Sequence, residues 1–201
     1  MPNESLNKTT AADLILASAS PRRADLLRQL GVVFRITPAH IDESVRPDEQ
    51  PATYVRRVAL AKAEFVSAQC RRSIAVLGAD TAVTIDQLIL GKPSELEDAR
   101  GILERLSGRW HEVFSGVAIM HHSASVISVR TRVKFRSILA HEIDAYWSSG
   151  EPQDKAGAYA IQGIGGAFVE RIEGSYSNVV GLPLVETLVL LEKYAIKQIL
   201  S

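Results

Sequence analysis

Two adjacent arginines, Arg22 and Arg23, lie in the first turn of a predicted helix, at the end where the helix dipole is positive. Ser20 is a favoured N-cap residue and Pro21 suits the first helical position, so the helix is expected to begin here. Cations at this end are disfavoured by a few tenths to about 1 kcal/mol each, unless an anion binds in front of the helix. The arrangement therefore indicates a phosphate site, with two arginines that extend into solvent as the alternative.

Acidic residues accompany the basic ones and add a second kind of chemistry. Asp80 interrupts an apolar strand region between Ile74 and Ile85, and a charge there is unfavourable unless it is paired, hydrogen-bonded or bound to a metal. We interpret Asp80 as a functional carboxylate, with a structural salt bridge as the alternative. Lys92, in the segment GKP, could pair with Asp80 or share its ligand, and Glu43 lies in an acidic loop.

A lysine lies on the apolar face of the helix that Pro51 is predicted to open. The inward stripe of this helix comprises Val55, Val58, Ala59, Lys62, Phe65 and Val66. A lysine at such a position either extends its ammonium group into water at the rim of the stripe or lines a polar cleft beneath the helix. The pattern leaves both interpretations of Lys62 open.

These basic and acidic residues together indicate phosphoryl or nucleotidyl chemistry. Lysine and arginine can hold a polyphosphate, and carboxylates can hold the Mg²⁺ or Mn²⁺ that accompanies it. The chain has neither a GxxxxGK[ST] loop nor a GxGxxG motif after a strand, so the common ATPase and dinucleotide-binding folds are not indicated. The five histidines show no metal-ligand spacing and are interpreted as surface or core residues.

Composition and charge limit the classes of protein that the chain can be. Of its 201 residues 46% are hydrophobic, and 23 basic residues balance 23 acidic ones, so no overall field would attract nucleic acid or an anionic membrane. Cys70 is the one cysteine, which excludes an internal disulfide and fits a reducing compartment. No apolar run approaches the roughly 20 residues that span a bilayer. The polar stretch 1–13 is expected to be a disordered leader, and a cytoplasmic protein is expected.

Periodicity and turn residues predict the elements that position these side chains. We expect strands at 14–17, 74–77, 82–85, 88–90, 111–120 and 129–136, and helices after Ser20, after Pro51, after a capping box of Ser94 and Glu97, at 139–149 and after Pro183. Four basic residues alternate along 129–136, and this face is interpreted as solvated and not as an RNA site. The Gly-rich segment 154–183 suits a loop and hairpin near a ligand.

Five segments form a combined signature, in the order LASASPRR, GADT, GKP, LSGRWHEVFSGVAI and DKAGAYAIQG. Through them, nearly the whole chain from Leu14 onward resembles the Maf family of nucleoside triphosphate pyrophosphatases. The resemblance implies a mixed α/β fold, similar to inosine triphosphate pyrophosphatases, with a long central mixed β-sheet flanked by helices and two lobes with a cleft. It also implies one catalytic domain, residues 14–201, and a cytoplasmic homodimer.

The resemblance further implies a reaction and roles for individual residues. A nucleoside triphosphate is cleaved between its α- and β-phosphates, which releases a nucleoside monophosphate and pyrophosphate. Asp80 matches the catalytic carboxylate of the family, and Glu43 and Asp80 match the acids linked to a divalent metal, Mg²⁺ or Mn²⁺. The implied phosphate contacts are Ser18, Arg22, Arg23, Lys62 and Lys92.

Three positions follow the division of the family by substrate. The branch that hydrolyses dTTP and UTP has Arg after SP, Thr after the catalytic Asp and Gln in IQG, whereas the 7-methyl-GTP branch has an aromatic residue, Gln and Glu. Arg22, Thr81 and Gln162 therefore resemble the dTTP/UTP branch. Gln162 offers a donor and an acceptor to a pyrimidine edge. The alternatives are a non-catalytic nucleotide-sensing or cell-division module and cleavage of purine or 7-methyl-GTP substrates.

Overall fold

A computed structural model describes residues 14–71 and 73–200, and the leader expected at 1–13 lies outside these ranges. The strands within them are β1 (Leu14–Ala17), β2 (Phe34–Ile36), β3 (Ala75–Ile85), β4 (Leu88–Leu90), β5 (Trp110–Met120), β6 (Ala124–Phe135) and β7 (Val169–Glu173). They form one sheet in the order β2-β1-β3-β5-β6-β7, with β4 paired to β3. β1 is parallel to β2 and β3, and the other pairs are antiparallel. The predicted mixed α/β sheet is confirmed.

Helices cover both faces of this sheet. Those in the described ranges are α1 (Pro21–Gln29), α2 (Pro51–Ser67), α3 (Leu96–Leu106), α4 (Ala140–Ser148), α5 (Tyr176–Val180) and α6 (Leu184–Lys193). Apolar side chains of α1, α5 and α6 share one core cluster with β3 and β5, and α2 packs against these strands in a separate cluster. No helix in this part of the chain is both long enough and apolar enough to cross a membrane.

Two glycines allow α2 to lie directly on the centre of the sheet. A Cβ atom on Gly78 would lie 2.1 Å from the Ala59 carbonyl oxygen, and one on Gly116 would lie 2.2 Å from the Val55 carbonyl oxygen. Any larger residue would therefore push the helix backbone away from the strands. Gly116 is the ladder partner of Asp80, so this close approach brings α2 over the buried acid.

The site is built at a free edge of β3. β1 pairs with β3 only as far as Gly78, and β4 pairs with it only from Val83 onward. Among the described residues no strand covers 79–82 on this side. Asp80 and Thr81 are consecutive and project to opposite faces of the sheet, so both faces contribute side chains where the edge is open.

Most predicted elements are confirmed, and four local predictions are corrected. The hairpin predicted within 154–183 is wrong, because β7 pairs with β6 and the segment then continues into helix α5. The predicted strands 74–77 and 82–85 are one continuous strand, β3, with Asp80 in its middle. The capping box is wrong because the Asp98 carboxylate accepts hydrogen bonds from both the amide and the hydroxyl of Ser94, and Glu95 takes the N-cap position. Phe65, near the end of α2, is 39% exposed and does not belong to the inward stripe.

Candidate active site

A cleft of about 1060 Å³ opens at the free edge of β3. Its walls come from the turn between β1 and α1, the acidic loop before α2, the inner face of α2 and the loop after α4. Every site residue predicted from the sequence lines this cleft, namely Ser18, Arg22, Arg23, Glu43, Lys62, Asp80, Thr81, Lys92 and Gln162. Residues that are far apart in the sequence therefore meet around one space.

Lys62 lies at the centre of the charged cluster. Its side chain is 8% exposed, and its Nζ lies 2.9 Å from Asp80 Oδ1 and 2.9 Å from Glu43 Oε2. Of the two interpretations of this lysine, the one in which it lines a polar cleft is confirmed. The ion-pair partner of Asp80 is therefore Lys62 and not Lys92, which is exposed and lines the same cleft.

Asp80 combines deep burial with an unused hydrogen-bond acceptor. Burial raises the pKa of its carboxyl, and attraction to Lys62 and Arg23 opposes this rise. Oδ1 accepts the Lys62 bond, whereas Oδ2 is buried and has no hydrogen-bond partner in the described part of the chain. A buried acceptor without a partner is unfavourable, so Oδ2 is available to a proton donor or a cation that enters the cleft.

The guanidinium of Arg23 is held by three neighbours. Its Nε donates to the Gly181 carbonyl oxygen at 2.9 Å, its Nη2 to Thr81 Oγ1 at 3.0 Å and its Nη1 to Ser18 Oγ at 3.2 Å. Burial lowers the pKa of Arg23, and the nearby carboxylates oppose this. The alternative of an arginine that extends into solvent is therefore wrong for Arg23, and Arg22 is half-buried at the wall of the same cleft.

The acidic loop that carries Glu43 is tied to α2. Tyr54 Oη donates to the Glu43 carbonyl oxygen at 3.0 Å, and Arg57 Nη2 donates to the Ser44 carbonyl oxygen at 2.9 Å. Arg57 also binds both carboxylate oxygens of Glu49, and this hydrogen bonding lowers the pKa of Glu49 to about 2. These anchors were not predicted from the sequence, although Tyr54 and Arg57 are three residues apart and so share a helix face.

A second carboxylate anchors the loop that carries Gln162. Glu151 accepts hydrogen bonds from Tyr146 Oη at 2.8 Å, from the Ile164 amide at 2.8 Å and from the Gly165 amide at 2.9 Å. Burial disfavours the charged form of Glu151, but the hydrogen bonds from the two amides and Tyr146, together with attraction to Lys155, outweigh it, so its pKa is lowered. Gln162, between these anchors, is exposed at the cleft wall.

His111 is a core residue, which is one of the two interpretations given to the histidines. Its ring is buried, burial lowers its pKa to about 3, and its Nε2 lies 2.9 Å from Tyr159 Oη. Within residues 14–71 and 73–200, no group of three or more His, Cys, Asp or Glu residues could hold a metal. A cation in the cleft would therefore need oxygen atoms from a ligand or water in addition to Glu43 and Asp80.

The fold and the cleft define a class of protein, an α/β protein with a buried carboxylate and several cationic side chains around one cleft. Residues 13–194 match the family model described as Maf-like protein. The chain therefore belongs to the Maf family, as its motifs predicted.

Curated relatives named dTTP/UTP pyrophosphatase are similar over most of the chain. The protein from Hahella chejuensis is 53% identical over 187 residues, 92% of this chain and 93% of that protein. The one from Myxococcus xanthus is 51% identical over 180 residues, 90% of this chain and 91% of that protein. A solved structure titled nucleoside-triphosphatase / dITP/XTP pyrophosphatase, from Mycobacterium abscessus, aligns with a TM-score of 0.41 and 15% identity over 68% of this chain and 93% of that chain.

Proposed function

We propose that the protein is a nucleoside triphosphate pyrophosphatase that hydrolyses dTTP and UTP, and modified pyrimidine triphosphates. Water attacks the α-phosphorus, and the bond from this phosphorus to the oxygen that bridges to the β-phosphate breaks. The products are a nucleoside monophosphate and pyrophosphate. The names of the relatives support the substrates, and the charges in the cleft support the chemistry.

The surroundings of the Asp80 carboxylate are the main structural support for the proposal. One carboxylate oxygen is fixed by Lys62, and the other is buried without a protein partner among the described residues. Because burial raises the pKa of this carboxyl above its ordinary value, it accepts a proton more effectively than an ordinary aspartate does. Asp80 Oδ2 then takes the proton from the attacking water.

The two acids of the cleft fit a divalent cation. Glu43 and Asp80 both contact the Lys62 ammonium group at 2.9 Å, so their carboxylates lie close together. Mg²⁺ and Mn²⁺ favour carboxylate oxygens, and a protein that binds Mg²⁺ often supplies one or two carboxylates while water and substrate phosphates supply the rest. Glu43 and Asp80 would hold the ion, which when bound neutralises charge on the phosphates.

Cationic side chains hold the triphosphate in this proposal. Arginine has five N–H donors, and Arg23 uses three of them within the described part of the chain, which leaves two for a phosphate. Arg22 and Lys92 line the same cleft, and Ser18 and Lys62 lie at its buried end. Phosphoryl transfer depends mainly on positioning and charge neutralisation, and these side chains supply both as pyrophosphate leaves.

Gln162 reads the pyrimidine base in this proposal. Its amide is exposed at the cleft wall, and an amide can donate to and accept from one base edge. Replacing Gln162 by Glu removes the donor, so the ratio of kcat/KM for dTTP to that for 7-methyl-GTP should fall. An unchanged ratio would count against this role.

The assembly and location follow the family expectation. In this proposal residues 14–201 form one catalytic domain, and two copies form a homodimer in the cytoplasm. Light scattering coupled to size-exclusion chromatography measures the mass directly, and a mass of one 21.9 kDa chain would contradict the dimer.

A nucleotide panel tests the proposed activity. Pyrophosphate release is measured from dTTP, UTP, CTP, GTP, ITP and 7-methyl-GTP, with Mg²⁺ or Mn²⁺ and with a chelator. The proposal expects release mainly from dTTP and UTP and its loss with the chelator. Binding without release from any nucleotide would instead favour a nucleotide-sensing module, and release mainly from purine nucleotides would contradict the substrate assignment.

A further inference from the structure

A chain of hydrogen bonds leads from Arg23 away from the cleft to α5. Arg23 Nη2 donates to Thr81 Oγ1 at 3.0 Å, Thr81 Oγ1 lies 2.8 Å from Ser115 Oγ, and Ser115 Oγ donates to the Asn178 carbonyl oxygen at 2.9 Å. Thr81 and Ser115 are direct partners in the ladder between β3 and β5, so their side chains share one face. Ser115 and Asn178 are both fully buried, which shields these links from water.

The chemistry of these groups fixes the direction of every bond. A guanidinium has only donors, a carbonyl oxygen only accepts, and a hydroxyl carries one proton. Because Ser115 gives its proton to the Asn178 carbonyl, it accepts the proton of Thr81. Thr81 then accepts the N–H of Arg23. The Thr81 hydroxyl proton is therefore committed to Ser115 and is not available to a nucleotide.

The far end of this chain is rigidly attached to the sheet. The Asn178 side-chain amide donates to the Val113 carbonyl oxygen at 3.1 Å and to Thr131 Oγ1 at 3.0 Å. Gly181, just after α5, has a φ of 127° and accepts Arg23 Nε through its carbonyl oxygen. The α5 segment thus holds Arg23 twice, directly through Gly181 and indirectly through Ser115.

We infer that Ser115 is a positioning residue that fixes the Thr81 hydroxyl and, through it, the Arg23 guanidinium. Thr81 accordingly influences substrate handling through the orientation of Arg23 and not by donating to the base. The inference rests on the proposed function in one respect, namely that Arg23 contacts the substrate phosphates.

A double-mutant cycle tests this positioning role. The variants are Ser115→Ala, Thr81→Val and their combination, and kcat and KM are measured with dTTP. Each single variant should lower kcat/KM about tenfold, as expected for a lost hydrogen bond linked to a charged group. The combination should lose little more than Thr81→Val alone. Thr81→Ser keeps the hydroxyl and should restore most of the activity that Thr81→Val loses.

A buried hydroxyl that takes no part in the hydrogen bonds from Arg23 to Asn178 provides the matched control. Thr84 is 2% exposed in the same strand, projects to the opposite face from Thr81, and contacts only the Glu112 carbonyl oxygen at 3.5 Å among the bonds described. Thr84→Val should leave kcat/KM close to that of the unmodified protein. Ser115→Cys keeps the shape of the side chain, with a larger terminal atom, and weakens both hydrogen bonds because a thiol is a weak donor and acceptor. It replaces Ser115→Ala if that variant does not fold.

The outcomes separate this inference from the proposed function. Fully additive losses, or unchanged kcat/KM in Ser115→Ala, would overturn the positioning role while leaving the activity intact. If the unmodified protein releases no pyrophosphate, the proposed function fails, and the same cycle is measured as the Kd of the α,β-methylene analogue of dTTP. Non-additive losses of affinity would then support the inference, and absence of analogue binding would overturn it.

Discussion

Replacing Lys62 by Met removes the cation that faces Asp80 and Glu43 while keeping a side chain of similar length. Asp80 is 5% exposed and loses its ion-pair partner at 2.9 Å. At this distance and an effective dielectric constant of about 20, the attraction that is lost is about 6 kcal/mol. Since the burial of the lysine charge is also relieved, we expect the free energy of unfolding to fall by about 3–5 kcal/mol at neutral pH.

The loss of stability caused by Lys62→Met should depend on pH, and the pKa of Asp80 sets the direction of this dependence. Burial already raises the pKa of Asp80 above its ordinary value of 3.8, and loss of the lysine charge raises it further. Between the unfolded and folded pKa values the folded state binds more protons, so stability falls as pH rises, by up to about 1.4 kcal/mol per pH unit. The deficit of the variant should therefore be smaller at about pH 5 than at about pH 7.5.

Urea unfolding of the metal-free protein, with a chelator present, measures this deficit at both pH values. The double variant Lys62→Met/Asp80→Asn removes the unpaired charge and should recover part of the lost stability. An equal deficit at the two pH values, together with no recovery in the double variant, would refute the reasoning that an unpaired Asp80 charge causes the loss.

Three further predictions concern the scaffold of the cleft. Gly78→Ala should lower the free energy of unfolding by about 1–3 kcal/mol because the new Cβ meets the backbone of α2, whereas the control Gly101→Ala, in open space within α3, should raise the urea midpoint. Glu151→Gln should raise KM for dTTP, measured by steady-state kinetics. The new NH2 group would face the amides that now donate to Glu151, and this would loosen the loop that carries Gln162. Arg57→Lys weakens the hydrogen bonds that lower the pKa of Glu49 to about 2. The variant should therefore lose stability, measured by urea unfolding, with the full loss above about pH 4.5 and no loss as pH falls towards about 2.

The local part of the site could be predicted from the sequence. The strand, turn and helix that carry Arg22 and Arg23 follow from an apolar run, Ser20 and Pro21, and Asp80 stands out as a charge in an apolar segment. Such patterns report which face of an element a residue occupies. They do not report what lies opposite that face, which is why the two interpretations of Lys62 could be separated only by the packing of α2 on β3.

The long-range part of the site could not be predicted in this way. The bond from Arg23 to Gly181 joins residues 158 positions apart, and the bond from Ser115 to Asn178 joins residues 63 positions apart. Both depend on how α5 packs on the sheet, and no local periodicity encodes this. Even at short range, two carboxylates compete for one residue. The capping pattern pairs Ser94 with Glu97, but in the structure Ser94 donates its hydrogen bonds to Asp98.

Hydrolysis of dTTP in ¹⁸O-labelled water, by the unmodified protein and by Asp80→Asn, tests the central claim most directly. The account predicts that the label enters dTMP, because water attacks the α-phosphorus, and that Asp80→Asn is folded but slower by about 10²–10⁴-fold because the proton acceptor is gone. Label in pyrophosphate would contradict attack at the α-phosphorus, and a folded Asp80→Asn variant with nearly full turnover would contradict the role of Asp80.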